Sequence, residues 1–224
     1  MSVDFDQEQD AYWADKANIR SYDHPVVEAF ARQRVAFLKQ LLGSWNPEDA
    51  LDVGCGDGFG MMYMNEITSK IHGCDRSPMM LNQNPAPKNT LTQCDANELV
   101  WEDNSFDLVY CWELLHHIGE PIRVVREMHR VARKKVLLCE PNCLNIAMAA
   151  FGIIMPEERG LLRFTPGYTR NLLIKAGLKN VRSYTVSYFT PNRTPLWMVN
   201  VLRHLPYQVP LVGLYTIVVG DKTD

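Results

Sequence analysis

The chain has 224 residues, 46% of them apolar and 22% charged, and a formal net charge of −3. That is enough apolar chain for one α/β core, and so small a charge gives no general electrostatic reason to bind nucleic acid or an anionic membrane. Six cysteines (55, 74, 94, 111, 139 and 143) have no zinc-type spacing, so no metal site is expected, and free thiols in strand-like runs point to a reducing, cytoplasmic compartment.

The first ten residues, MSVDFDQEQD, are acidic and polar, unlike a signal peptide. An aromatic-rich stretch, AYWADKANIRSYDHP, leads into a helix expected from Val26 to Leu42. Strands are then expected at 50–55 (ALDVGC), 70–75 (KIHGCD), 90–95 (TLTQCD) and 106–112 (FDLVYCW). EPIRVVREMHRVAR, 120–133, reads as an amphipathic helix with Pro121 in its first turn. Its apolar stripe is Val124, Val125, Met128, Val131 and Ala132, and Arg123, Arg126, Arg130 and Arg133 are expected to form a solvated face. A fifth strand follows at 135–140 (KVLLCE), and then an uncharged run, Leu144 to Met155, too short to span a bilayer. A helix at 168–178 is stopped by Gly177. Strands at 180–190 and 213–220 enclose a Pro-punctuated, aromatic segment, 191–210. No linker divides the chain, so one domain, 1–224, is expected. Residues 1–45 would be a helical lid and 144–210 would cover a substrate.

Alternating strands and helices predict an α/β fold with a doubly wound, mostly parallel sheet between two helical layers. In such a sheet, ligands sit beyond the carboxyl ends of the strands, near the reversal of strand order. The first strand runs into LDVGCGDGFG, with glycines at 54, 56, 58 and 60. Glycines there allow backbone N–H groups to approach a ligand that a Cβ would hold off. Three successive strands carry an acid near the carboxyl end: Asp52, Asp75 and Asp95. Asp75 lies roughly twenty residues beyond the turn, where a carboxylate can accept both hydroxyls of a ribose. A dinucleotide is disfavoured, because the third glycine of G-x-G-x-x-G would fall at 59, where Phe stands. Asp52 and Asp57 would also repel a pyrophosphate, whereas Asp52 suits a ligand carrying an ammonium group.

The pieces LDVGCGDG, GCD, QCDANEL and FDLVYCWELLHHI, in this order and spacing, resemble the class I S-adenosylmethionine-dependent methyltransferases of the small-molecule, methyltransferase-11-like type. The resemblance covers roughly residues 50 to 140. It implies a Rossmann-like, seven-stranded sheet whose last strand is antiparallel, and S-adenosylmethionine as cofactor. Carried over residue by residue, it implies that Asp52 holds the methionine amino group. Gly54 and Gly56 wrap the methionine, with Cys55 and Gly58 in the same turn. Asp75 binds the ribose, and Asp95, followed by Ala96, faces the adenine edge. Arg76 and Met79 or Met80 flank the adenine ring. Cys111, Trp112, Glu113, His116 and His117 face the methyl group.

Methyl transfer needs mainly an aligned nucleophile. A general base is required only where the acceptor must lose a proton, and His116, His117 or Glu113 is then the candidate. Glu140, ahead of Pro141-Asn142, would line the pocket or cap a loop. The Asn/Asp-Pro-Pro-Tyr/Phe signature of base- and amide-nitrogen methyltransferases is replaced by CWEL, and no basic patch interleaved with aromatics argues for RNA. The expected acceptor is a small, partly apolar molecule methylated at O, N or C. Residues Tyr12–Tyr22, Phe151–Met155, Tyr188, Phe189, Trp197 and Tyr207 would close over it, and Arg163, Arg193, Arg203 and His204 could meet an anionic group. Three alternatives are a thiol-assisted metalloid methyltransferase, a non-catalytic cofactor-binding module and an aminopropyltransferase-like enzyme, the last disfavoured because no paired acids beyond Glu113 offer a polyamine site. Neither nucleic acid nor stable membrane insertion is expected, and the oligomeric state, a homodimer included, is open.

Overall fold

In the computed structural model, which describes residues 3–15 and 20–223, the seven apolar runs pair into one sheet. Residues 16–19 of the aromatic Tyr12–Tyr22 stretch lie outside the described residues. The strands are β1 (Ala50–Val53), β2 (Ile71–Asp75), β3 (Leu91–Gln93), β4 (Phe106–Trp112), β5 (Ala132–Pro141), β6 (Lys179–Val186) and β7 (Tyr215–Asp221). Their spatial order is β3-β2-β1-β4-β5-β7-β6. The first five run parallel, and β7 is antiparallel to both β5 and β6. This is the expected doubly wound sheet with an antiparallel last strand. Strand order reverses between β1 and β4, so a crevice opens at their carboxyl ends.

Several strands stop earlier than expected, each for a local reason. β1 ends at Val53 because Gly54 turns to φ 73°. β6 ends at Val186 because Ser187 takes φ 69° and its hydroxyl donates to the Phe189 carbonyl at 2.9 Å. The helices are α1 (Val3–Asp15), α2 (Pro25–Leu42), α3 (Phe59–Met64), α4 (Pro78–Gln83), α5 (Pro121–Val131), α6 (Ile146–Ile154), α7 (Pro166–Lys175) and α8 (Leu196–Leu202). α2 starts where His24 Nδ1 accepts from the Val26 amide at 3.2 Å and ends at Gly43, φ 64°.

The period-2 alternation of a strand divides β4 between two cores. Leu108, Tyr110 and Trp112 face α2, packing with Val26, Phe30, Val35 and Leu38. Val109 and Cys111 face the other way, towards Val124, Val125 and Met128 of α5 and Leu172 and Leu173 of α7. Each such fully buried side chain contributes about 1.5–3 kcal/mol.

Two expectations need correction here. The arginines of α5 and its end are not merely a solvated face. Arg130 donates to the Leu99 and Trp101 carbonyls, both at 2.8 Å, and pairs with Glu127. Arg133 bridges Asp49 and Asp107 at 2.8 and 2.9 Å. These guanidiniums pin the chain preceding β1 and β4. The second concerns α1, for which the sequence sets no boundaries within the expected helical segment 1–45: it lacks a continuous apolar stripe, and buried Phe5 and polar contacts to distant residues hold it.

Candidate active site

The amides of Gly54 and Cys55 both donate to the Cys74 carbonyl, at 2.8 and 2.9 Å, which ties the glycine turn to the end of β2. Gly54, Gly56 and Gly58 have φ of 73°, 48° and 87°, in the left-handed region where a Cβ is penalised. Gly60 is required for a different reason: a Cβ there would stand 2.7 Å from Asp52 Oδ2. Asn84, nearly fully buried, braces the turn from below, its amide donating to the Gly56 carbonyl at 3.1 Å.

Asp75 joins this turn to the next. Its Oδ2 accepts from the Gly56 amide at 2.9 Å and its Oδ1 from the Ser77 amide at 2.8 Å. Burial raises its pKa against the pull of those amides. Asp52 is 1% exposed, yet neither carboxylate oxygen has a hydrogen-bond partner of normal length. Burial holds its pKa well above the usual carboxylate range, although the nearby Tyr110 hydroxyl favours the charged form. An orphaned buried carboxylate beside a crevice is completed by a cationic donor.

Beyond β4 the chain turns on Glu140. Its Oε1 accepts from the Leu114 and Leu115 amides at 3.1 and 2.8 Å, and its Oε2 from the His116 amide at 3.2 Å. Glu140 is fully buried and does not line the cavity, so of the two roles read for it, the loop cap is the one the structure displays. The same Oε2 lies 2.7 Å from His116 Nδ1, and Glu158 lies 3.3 Å from His116 Nε2. Burial alone would discharge His116, but the two carboxylates outweigh it and raise its pKa to about 10. Glu158, in the turn 156–163, is conversely held down at about 2 by its hydrogen bond from His116, against the effect of burial. His117 Nδ1 lies 2.9 Å from Gln9 Oε1. The Gln9 amide donates to the Glu157 carbonyl at 2.8 Å, which turns its oxygen to His117 and places the imidazole proton on Nδ1. Burial and the neighbouring imidazolium lower the His117 pKa to about 3. Ligand-type atoms of His116, His117 and Glu158 lie within 4.8 Å of one another, but both His116 nitrogens face carboxylates.

These arrangements argue against the base roles read for the three residues. At neutral pH His116 is already protonated and His117 is a very weak base, and an efficient base has a pKa near the working pH. Glu113, with φ 61°, is engaged by Arg34 Nη2 at 2.9 Å. Because the folded-state pKa of His116 is raised, its contribution to stability is complete below about pH 6.5 and is lost as pH rises towards about 10. His116→Gln is therefore expected to cost most stability at pH 6 and progressively less towards pH 10, read from urea unfolding midpoints at each pH.

The strand tips and the turn after β4 open into a cavity of about 1130 Å³. Asp52, Gly54, Cys55, Gly56, Asp75, Arg76, Met80, Asp95, Ala96, Trp112, Glu113, His116 and His117 all line it. Asp95 also accepts from the Asn97 amide at 2.8 Å. Cys111 does not line it: strand parity points Trp112 to the cavity and Cys111 to the opposite core, 3.9 Å from Glu140 Oε1. Gly58 contributes to the turn rather than to the lining. Burial pushes up the Cys55, Cys111 and Cys139 thiols, whereas Cys94, at the cavity wall, is lowered by a hydrogen bond from Cys74.

Apart from Tyr12 and Trp13, which fall in the Tyr12–Tyr22 stretch read as closing the site, the residues missed in the sequence come from α1 and the turn 156–163. Asp10 accepts from Arg76 at 2.8 Å, Asp6 accepts from the Gly119 amide at 2.6 Å, and the Trp13 carbonyl accepts from Ser77 at 3.2 Å. Through these contacts α1 lies across the cavity, with Gln9, Asp10, Tyr12 and Trp13 in its wall.

Residues 51–139 match a family model described as a methyltransferase domain. Over those residues the chain is similar to a methyltransferase domain. A glycine/sarcosine/dimethylglycine N-methyltransferase of Actinopolyspora halophila is 26% identical over 63% of this chain and 27% of its own length. A phosphatidylethanolamine N-methyltransferase of Cereibacter sphaeroides is 37% identical over 38% of this chain and 45% of its own. The chain thus spans less than half the length of either relative. A methyltransferase structure from Thermotoga maritima superposes with a TM-score of 0.66 over 88% of this chain and 92% of its own, at 15% identity, which establishes the shared fold. The resemblance to class I S-adenosylmethionine-dependent methyltransferases therefore holds, and their cofactor fits the crevice. The unpartnered Asp52 carboxylate suits its ammonium group, and the unused lone pairs of Asp75 suit its ribose hydroxyls.

Proposed function

We propose that this chain transfers a methyl group from S-adenosylmethionine to a small, partly apolar acceptor. The observation that carries the reading is the orphaned Asp52 carboxylate beside glycine amides at the carboxyl ends of β1 and β2, opening into one large cavity. When bound, the cofactor supplies a methyl group already activated by its sulfonium. Asp52 would fix the amino acid end and Asp75 the ribose. Asp95, Ala96 and Met80 would border the adenine. Trp112, whose ring meets Phe59 at a 67° tilt, forms a rigid wall near the methyl end. Met148, Phe151 and Tyr188 line the remaining cavity, where an acceptor would be held against the methyl and shielded from water. The charged His116–Glu140–Glu158 chain acts as a positioning element, joining the floor after β4 to the turn 156–163. We further assign α1 as a lid over the donor. No side chain is assigned as general base, so the reading suits an acceptor whose nucleophilic atom is already deprotonated or sheds its proton to water.

The direct test is calorimetric titration with S-adenosylhomocysteine. A micromolar dissociation constant, on the order of −8 kcal/mol, is expected. Absence of heat, together with no protection of α1 from proteolysis by the ligand, would remove the reading.

A further inference from the structure

The averaged net charge hides a marked asymmetry. From Pro141 to Gly220 the only carboxylates are Glu157 and Glu158, against eight lysines and arginines. Both of those glutamates line the cavity. The surface built by this part of the chain is therefore neutral or positive, and much of it is apolar. α6 (IAMAAFGII) contains no charged residue, and Ile146 and Ile153, seven residues apart on one face, are 86% and 72% exposed. α8 exposes Trp197 and Val201, and the turn after Pro210 exposes Leu211.

These three segments adjoin one another. Asn145, capping α6, donates to the Val212 carbonyl at 2.7 Å. Arg193, just before α8, stacks over Phe151 of α6 at 5.5 Å. They also border the cavity: Met148 and Phe151 of α6, and residues 190–194 leading to α8, line it. One side of α6 thus lines the acceptor space while the other presents bare isoleucines to solvent.

An unpartnered apolar face of this kind could meet a second copy, another protein or a bilayer. Charge complementarity selects the last. The face lacks any carboxylate, it is flanked by exposed Arg193 and Arg203, and Trp197 has the amphipathic ring suited to a headgroup layer. Among the described residues no helix is long and apolar enough to cross a membrane, which fits contact with the surface rather than passage through it. We propose that α6, α8 and the Leu211–Val212 turn dock on an anionic lipid surface and bring the cavity mouth to a membrane-borne acceptor. The proposal deepens the methyl-transfer reading and rests on it. A lipid-anchored acceptor would present its polar, reactive end to the cavity while its chains stay in the bilayer. The similarity to a phosphatidylethanolamine N-methyltransferase agrees with such a substrate class.

The test is flotation of the full chain with vesicles of phosphatidylcholine alone and of phosphatidylcholine mixed with phosphatidylglycerol. The parent is expected to float with the mixed vesicles, less so at high salt. The Ile153→Asp/Trp197→Ser double variant should partition at least tenfold more weakly, with S-adenosylhomocysteine affinity unchanged. Arg203→Glu should weaken binding to the mixed vesicles only. A parent that stays soluble with both vesicles, or a double variant that floats like the parent, overturns the docking surface. So does a dimer, seen by sedimentation, that the same double variant dissociates, because the face would then be an interface between copies. Flotation without any S-adenosylhomocysteine binding would overturn delivery to a methyl-transfer site while leaving lipid contact intact.

Discussion

Asp75→Ala is expected to weaken S-adenosylhomocysteine binding by about 1.5–3 kcal/mol, roughly 10- to 150-fold, in calorimetric titration. Two effects combine. The variant removes a buried, charge-bearing acceptor for two ribose hydroxyls. It also orphans the Gly56 and Ser77 amides, which donate to the carboxylate at 2.9 and 2.8 Å. Asp75→Asn keeps one acceptor oxygen, so its loss should be smaller. The two contributions separate by measuring the thermal midpoint without ligand: the amide contribution lowers it, the ribose contribution does not. An Ala variant that binds like the parent would show that the ribose sits elsewhere.

Glu113→Ala is expected to be the most destabilising single change at the site, by about 3–5 kcal/mol, because it leaves a buried charge uncompensated. Arg34 is fully buried on α2, and its Nε and Nη1 already lack partners. Its remaining support is the 2.9 Å bond to Glu113 and the rings of Phe30, Trp112 and Tyr215, whose centroids lie 4.3, 4.6 and 5.1 Å from the guanidinium carbon. For a chain of this size the loss corresponds to a fall in thermal midpoint of about 2–4 °C per kcal/mol. Glu113→Gln retains an acceptor and should fall between. An Arg34→Met/Glu113→Leu double variant, with no charge left to satisfy, should recover much of the midpoint. If Glu113→Ala instead unfolds like the parent but abolishes turnover with cofactor affinity intact, Glu113 acts on the reacting groups and not on Arg34.

The sheet was legible because each strand announces itself locally, as an apolar run closed by an acid, a glycine or a proline. The meeting of Asp52, the glycine turn, Asp75 and Asp95 at one cavity was legible for the same reason: all sit at strand ends, where spacing along the chain maps directly onto position. Three things were not. Cys111 was drawn into the site by its place in the chain, although alternation along β4 turns it to the far core. Glu140 carried no local sign that it would bond three amides 24–26 residues earlier. α1 has no continuous apolar stripe; its position depends on one buried aromatic, Phe5, and on Asp6, Gln9 and Asp10 finding partners more than 60 residues away. Long-range polar pairing leaves no period to read. The protonation states of His116 and His117 were equally out of reach, since adjacent imidazoles are driven in opposite directions by carboxylates from two other segments.

The way Asp75 divides its acceptor positions has a thermodynamic consequence. A carboxylate offers about four lone-pair sites, and here two are taken by the chain's own amides, one on each of two turns. Both turns are therefore standing in their working shape before any donor enters. The entropy of arranging them falls on folding and not on association, so this half of the pocket is preorganised. Affinity for the donor should accordingly depend little on loop rigidity and chiefly on the hydrogen bonds completed at arrival.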